Sequence, residues 1–287
     1  MTILVGDGNM VALSMDERPA GFAGTLLRLS ARLLVAVTWG SAGLFGAYIL
    51  AFYGGAMGDG TMERWNETLS GLYDPADPLS VLGIGVHFLM GGVLLLLGPV
   101  QLIGAVRGRW PRFHRWSGRA YVLAAFLTGL GGLGFILARG TIGGTPMDIG
   151  FGLYGVLVVL ASVETFRHAR ARRMDIHRAW GIRLFALVTG SWLYRMDYGF
   201  WLMMMGKLGH ASDFSGPFDI TMAFFFYLPN LVVAEMFIRA RGATAPGFVR
   251  VGAAAVLLVA TGFVALGTFY FTKFYWGPPI LARLGLV

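Results

Sequence analysis

The chain has no cysteine, and that excludes a disulfide framework, a thiolate metal site and a cysteine nucleophile. Lysine is nearly missing too. Lys207 and Lys273 stand near the ends of apolar runs, so a mid-helix Schiff base of the retinal kind is disfavoured. Charge as a whole is scarce. Only 13% of the 287 residues are charged, where a soluble domain carries about 25%. HExxH, GxSxG and P-loop patterns are absent, which removes the common metal-hydrolase, α/β-hydrolase and nucleotide-hydrolysing readings. The first twenty residues contain acids, with no basic stretch followed by an apolar core, so no cleaved signal peptide is expected.

What is present is apolar length. Hydrophobic residues make up 56% of the chain. A helix needs about 20 mainly apolar residues to cross a bilayer. Seven stretches qualify: 31–54, 80–106, 117–138, 148–167, 180–205, 217–239 and 248–272. The expected fold is therefore all-α, a polytopic membrane protein with seven transmembrane helices. Residues 1–30 form a cytoplasmic N-terminal tail, and 31–287 form the membrane domain.

The net charge of +8 does not point to nucleic acid, because the cations alternate with apolar runs. Three lie in 1–32, five in 106–119, six in 167–183 and three in 239–250, seventeen of the 23 cationic residues. The positive-inside rule then places the N-terminus in the cytoplasm and the C-terminus outside, in a bacterial inner membrane. The acidic, turn-rich segment 55–79 becomes an outer loop, either a solvated connector or a cover for an outer site.

HRWSGR at 114–119 returns as HRAWGIR at 177–183. A shift of 63 residues also aligns Phe88 with Phe151, Gln101 with Glu164, Arg107 with Arg170 and His114 with His177. Two helical hairpins, spans two–three and four–five, read as copies of one unit. They predict a duplicated-hairpin four-helix core at about 80–205, with a pseudo-twofold axis along the membrane normal. The run LTGLGGLGF in span three offers Gly129, Gly131, Gly132 and Gly134 for close helix approach. Pro99 and Pro229 should kink spans two and six.

Ionisable residues at membrane depth are costly, so each is a candidate for function. Near the outer side, His87, Arg195 and Asp197 could cluster. On the inner side the candidates are Gln101, His114, Arg115, Arg119, Glu164, His177, Arg178 and Arg183. Histidines and arginines at the N-termini of inward-facing helix ends suit an anion, such as a lipid head group, haem propionates or a quinone oxygen. A bis-histidine haem b requires two imidazoles at one depth. His114 and His177 share a depth but sit at the interface, and His87 has no histidine at its own depth.

Four phrases occur in order: His87-x-x-x-Gly91, Gly98-Pro99-Val100-Gln101, HRWSGRAY at 114–121 and HRAWGIR at 177–183. Together they resemble the bacterial membrane-protein family catalogued as domain of unknown function 2306, over about residues 80–200. Gly181 stands where that family often has methionine. The resemblance implies the architecture and supplies no activity. Three functions therefore stay open. The chain could hold haem or a quinone, or a lipid, in a four-helix core and serve electron transfer. It could be an accessory or assembly subunit of a larger membrane complex, or a small proton-coupled transporter.

Overall fold

The computed structural model describes residues 21–68 and 72–286, without the side chains of a few residues in 79–89 and of Arg139. Most of the expected N-terminal tail lies outside the described residues. Among them there is no strand. Helix α1 is Phe22–Ile49. It runs on through a π-helical turn, Leu50–Gly54, into the short α2, Gly55–Gly58. A 3₁₀ segment, Met62–Glu67, leads to α3, Pro78–Leu102. Then come α4 (Gly104–Arg109), α5 (Pro111–Arg139), α6 (Gly144–Arg170) and α7 (Met174–Met205). The chain ends with α8 (Pro217–Phe225), α9 (Leu228–Ala240), α10 (Gly247–Phe271), a π turn and α11 (Gly277–Arg283).

Five helical segments are long and apolar enough to cross a membrane: Phe22–Gly58, Pro111–Ala138, Gly144–Arg170, Pro217–Ala240 and Gly247–Arg283. The other two expected spans, α3 and α7, are helical. Among the described residues of α3, Met90–Leu102 is a shorter apolar stretch. In α7, Arg183, Arg195 and Asp197 interrupt the apolar residues.

Helices α3, α5, α6 and α7 touch in a closed ring, each against the next. A second ring shares α3 and α7 and is completed by α1, α10 and α9. One end of the bundle carries the arginines. There Leu27 of α1 packs with Ala240 of α9 and with Ala253 and Leu257 of α10. At the opposite end Phe52, Tyr53 and Trp65 pack with Phe88 of α3.

Glycine sets the closest approaches. A Cβ on Gly129 would lie 2.9 Å from Val159, and one on Gly155 would lie 2.9 Å from Leu133, so α5 and α6 meet backbone to backbone here. A Cβ on Gly150 would stand 2.5 Å from the carbonyl oxygen of Ala223, which fixes α8 against α6. Gly131, Gly132 and Gly134 face open space, so of the glycine run only Gly129 serves packing. Pro229 does more than kink its helix. The chain breaks at Phe226–Tyr227 and restarts as α9 with Pro229 in the first turn, because proline supplies no amide to the preceding turn. Pro99 stays inside α3.

The two hairpins differ at their connections. Between α3 and α5 the chain inserts α4, whereas α6 and α7 are joined by 171–173 with Arg172 at φ 57°. Gln101 donates to Ser117 Oγ across helices at 2.8 Å, but its counterpart Glu164 bonds within α6. The arginine–tryptophan stacks recur one residue out of the 63-residue register: Arg119 lies over Trp116 at 4.8 Å and Arg183 over Trp180 at 4.9 Å.

Candidate functional site

At the arginine-rich end, α5 and α7 bring His114 and His177 close enough to interact electrostatically, with Arg107 and Arg115 also beside His114. His177 Nδ1 lies 2.9 Å from the Thr165 carbonyl oxygen, which makes Nδ1 the donor and leaves Nε2 as the acceptor. His114 Nδ1 is buried and has no partner. The remaining inner candidates disperse into pairs of their own. Glu164 binds Arg167 at 2.6 Å and His168 at 3.1 Å, all on α6. Arg183 binds Glu235 of α9 at 2.7 Å, tying α7 to α9. Arg119 is spent on its Trp116 stack, while Arg115 and Arg178 are exposed. A single inner anion pocket built from all eight residues is not what the fold assembles.

At the opposite end the expected trio separates. His87 and Arg195 come together. Asp197 stands about 200° further round α7, since successive helical positions differ by 100°. It makes no hydrogen bond or ion pair among the described residues. Arg195 instead meets Tyr48 and Tyr53 from α1 and its π extension, and Tyr194 from α7. Its Nη1 donates to the Ser191 carbonyl at 3.0 Å, and no carboxylate pairs with it among the described residues. Arg195 and His87 both remain exposed although side chains from three helices surround them. They lie close to one another where side chains of α1, α3 and α7 approach.

The segment after α2 closes over this region. Trp65 is 3% exposed, donates from Nε1 to the Tyr53 carbonyl at 3.1 Å, and stacks edge-on to Phe88 and Tyr53. Tyr53 and Thr68 share a hydroxyl–hydroxyl contact of 2.8 Å. Trp65 is thus packed against Tyr53 and Phe88, while most of its neighbours in 57–68 are exposed. Gly91, one helical turn from His87 on α3, has open space where a side chain would be.

Sequence reasoning missed the most completely satisfied polar group in the protein. Asp219 on α8 is wholly buried. Its Oδ1 accepts from Tyr198 at 2.7 Å and from His210 Nδ1 at 2.8 Å, and its Oδ2 accepts from the amides of Ala211 at 2.9 Å and Gly216 at 3.1 Å. The Gly216 bond is the reach-back of a third-position acid to the helix cap. The signal was available: proline at the first helical position followed two residues later by aspartate, after a glycine-rich turn. What that pattern could not show is that α7 and the 206–216 loop would point Tyr198 and His210 at the same carboxylate. Four donors on one carboxylate make it a clamp between α7, the loop and α8.

No group of three or more metal-ligating side chains occurs among the described residues. What the region around Arg195 offers is a cation without a carboxylate partner among the described residues, an imidazole and phenols in an otherwise apolar bundle. That set suits a carbonyl or anionic head group on an apolar body.

No curated protein and no solved structure matches the chain. Residues 84–238, from within α3 to within α9, match a family described as "Predicted membrane protein (DUF2306)". The match covers more than half of the 287 residues and includes His87, the α5 and α7 histidines and Arg195, so the chain belongs to the DUF2306 family of membrane proteins.

Proposed function

We propose that this is a membrane-embedded binding protein for a lipid-soluble, carbonyl-headed molecule of the quinone class, held in a cleft where α1, α3 and α7 approach around Arg195. The observation that carries the reading is Arg195. A guanidinium within a lipid-facing bundle normally finds a carboxylate or lines a ligand path. This one is hydrogen-bonded to a single backbone carbonyl and lies within electrostatic range of three phenols. A quinone oxygen would accept a charge-assisted hydrogen bond from it, with His87 and the tyrosines as further donors. The charged group beside His87 is Arg195, not a second imidazole, so a quinone fits the cleft better than a bis-histidine haem does.

The accompanying topology has α3 and α7 crossing the bilayer with the other five segments, seven spans in all. The arginine-rich end faces the cytoplasm and the cleft opens toward the outer half of the membrane. The place of α7 in both helix rings supports this, since much of its surface packs against other helices.

The test is equilibrium binding of short-chain benzoquinone and naphthoquinone analogues to the protein in nanodiscs, followed by tryptophan fluorescence. Wild type should bind saturably. Arg195→Gln should weaken binding about 10- to 100-fold, the loss of one charge-assisted hydrogen bond of roughly 1.5–3 kcal/mol. Equal affinities, or no saturable binding by wild type, overturn the reading.

A further inference from the structure

Between Asp77 and Asp148 the chain has no aspartate or glutamate, yet that stretch carries Arg107, Arg109, Arg112, Arg115 and Arg119. All five are exposed. Other guanidiniums at the arginine-rich end find acids. Arg167 binds Glu164 at 2.6 Å, and Glu235 takes Arg183 at 2.7 Å and Arg239 at 3.1 Å. Among the described residues no carboxylate pairs with any of the five on α4 and α5. Cations grouped without counter-charge leave a positive surface that attracts anions.

The shape of that surface says which anion. Helix α4 ends and α5 begins at Trp110, with Pro111 in the first turn of α5. Arg109, Trp110, Pro111, Arg112 and Phe113 line a groove of about 740 Å³ at this corner. Arg109 lies over the Trp110 ring at 5.7 Å. An apolar track leads away from the groove along α5: Phe113, Trp116, Ala120, Leu123 and Leu127, at steps of three and four, share one face. Every one of them is exposed, whereas Ser117, Tyr121 and Ala124 are buried in the bundle. Arg112, Arg115 and Arg119 repeat the track's spacing one residue earlier, so a basic edge runs beside it. From Trp116 to Leu127 the helix rises about 17 Å, close to half of the roughly 30 Å hydrocarbon thickness of a bilayer. That is the depth of one leaflet.

We infer that the α4–α5 corner binds one anionic phospholipid, its phosphodiester against Arg109 and Arg112 and its acyl chains along the α5 track. Guanidinium forks match phosphate oxygens in geometry and in charge. A soluble phosphate would use the arginines and leave the track bare. An acidic protein surface would have no use for an apolar track that enters the bilayer. A zwitterionic lipid fits the track, but its own cation offsets the charge that the arginines lack. Only an anionic lipid answers both features. The corner lies at the opposite end of the bundle from Arg195, and the inference does not depend on the quinone reading.

The experiment titrates the full-length protein, delipidated in a mild detergent, with phosphatidylglycerol or phosphatidylcholine and counts bound lipid by native mass spectrometry. Wild type should hold its first phosphatidylglycerol at least fivefold more tightly than its first phosphatidylcholine. Arg109→Gln combined with Arg112→Gln should weaken phosphatidylglycerol at least tenfold, at about fivefold for each arginine, and leave phosphatidylcholine unchanged. If the double variant does not fold, each single variant should lose about fivefold. Arg239→Gln, at the same end but paired with Glu235, should hold the first phosphatidylglycerol as wild type does. An equal loss in Arg239→Gln would mean diffuse surface charge, and displacement by equimolar glycerol 3-phosphate would mean a site for soluble phosphate; either result overturns the lipid site. Equal affinity for the two lipids overturns it as well and leaves an acidic protein surface as the occupant. So does a double variant that binds phosphatidylglycerol like wild type.

Discussion

Removing the carboxylate of Asp219 should unfold the end of the bundle opposite the arginines well before the rest. In Asp219→Ala four donors lose their acceptor at once: the Tyr198 hydroxyl, His210 Nδ1 and the amides of Ala211 and Gly216. The carboxylate is wholly buried, so water does not replace it without opening the 206–216 loop. Breaking a buried, hydrogen-bonded charge typically costs about 3–5 kcal/mol. At about 2–4 °C per kcal/mol for a chain of this order, the midpoint should fall by roughly 6–20 °C. Asp219→Asn should not rescue it. Both oxygens receive two donors each, so the amide nitrogen must face two of them in either orientation. The assay is thermal unfolding by intrinsic tryptophan fluorescence in one detergent at one scan rate, because heat unfolding of membrane proteins is often irreversible. Asp213→Asn, in the same loop but exposed and bonded only to Ser215, is the control and should shift the midpoint little. A midpoint for Asp219→Ala within 2 °C of wild type would refute the clamp.

Other consequences can be checked directly. Gly150→Ala places a methyl 2.5 Å from the Ala223 carbonyl and should destabilise by about 1–3 kcal/mol, whereas Gly132→Ala, into open space, should be neutral in the same melts. The absence of cysteine gives a clean background for topology mapping. With an impermeant maleimide on intact spheroplasts, Asp213→Cys should label and Arg109→Cys should label only after lysis; the reverse pattern overturns the orientation. Arg183→Ala should destabilise more than Arg64→Ala. The Arg183–Glu235 pair joins two helices and is partly shielded, while Arg64–Glu67 lies exposed within one turn.

Much of this was legible in the chain. Apolar run lengths located the long helices, because a bilayer-spanning helix needs its own hydrophobic length regardless of neighbours. Pro229 announced a kink for an equally local reason, and the structure made it a break. The ends of runs were harder. Helix α1 begins at Phe22, well before the expected start at residue 31, since arginines at a helix end remain good helix formers. The repeat at 114 and 177 located two histidines that lie close enough to interact electrostatically. The rest of the alignment did not transfer contact for contact: Gln101 reaches across helices while Glu164 folds back on its own.

The sequence by itself determined an all-helical membrane protein, the family, the arginine-rich end and the short roster of polar residues an apolar bundle must accommodate. These follow from composition and period, which act through solvent transfer and need no partner. Only the tertiary structure decided which of those residues meet. Helical phase separated Asp197 from Arg195 although they are two positions apart, and the break before α9 let α8 carry Asp219 to Tyr198 and His210. Burial and pairing depend on the rotation and crossing of whole helices, and a single chain read in order does not contain those angles.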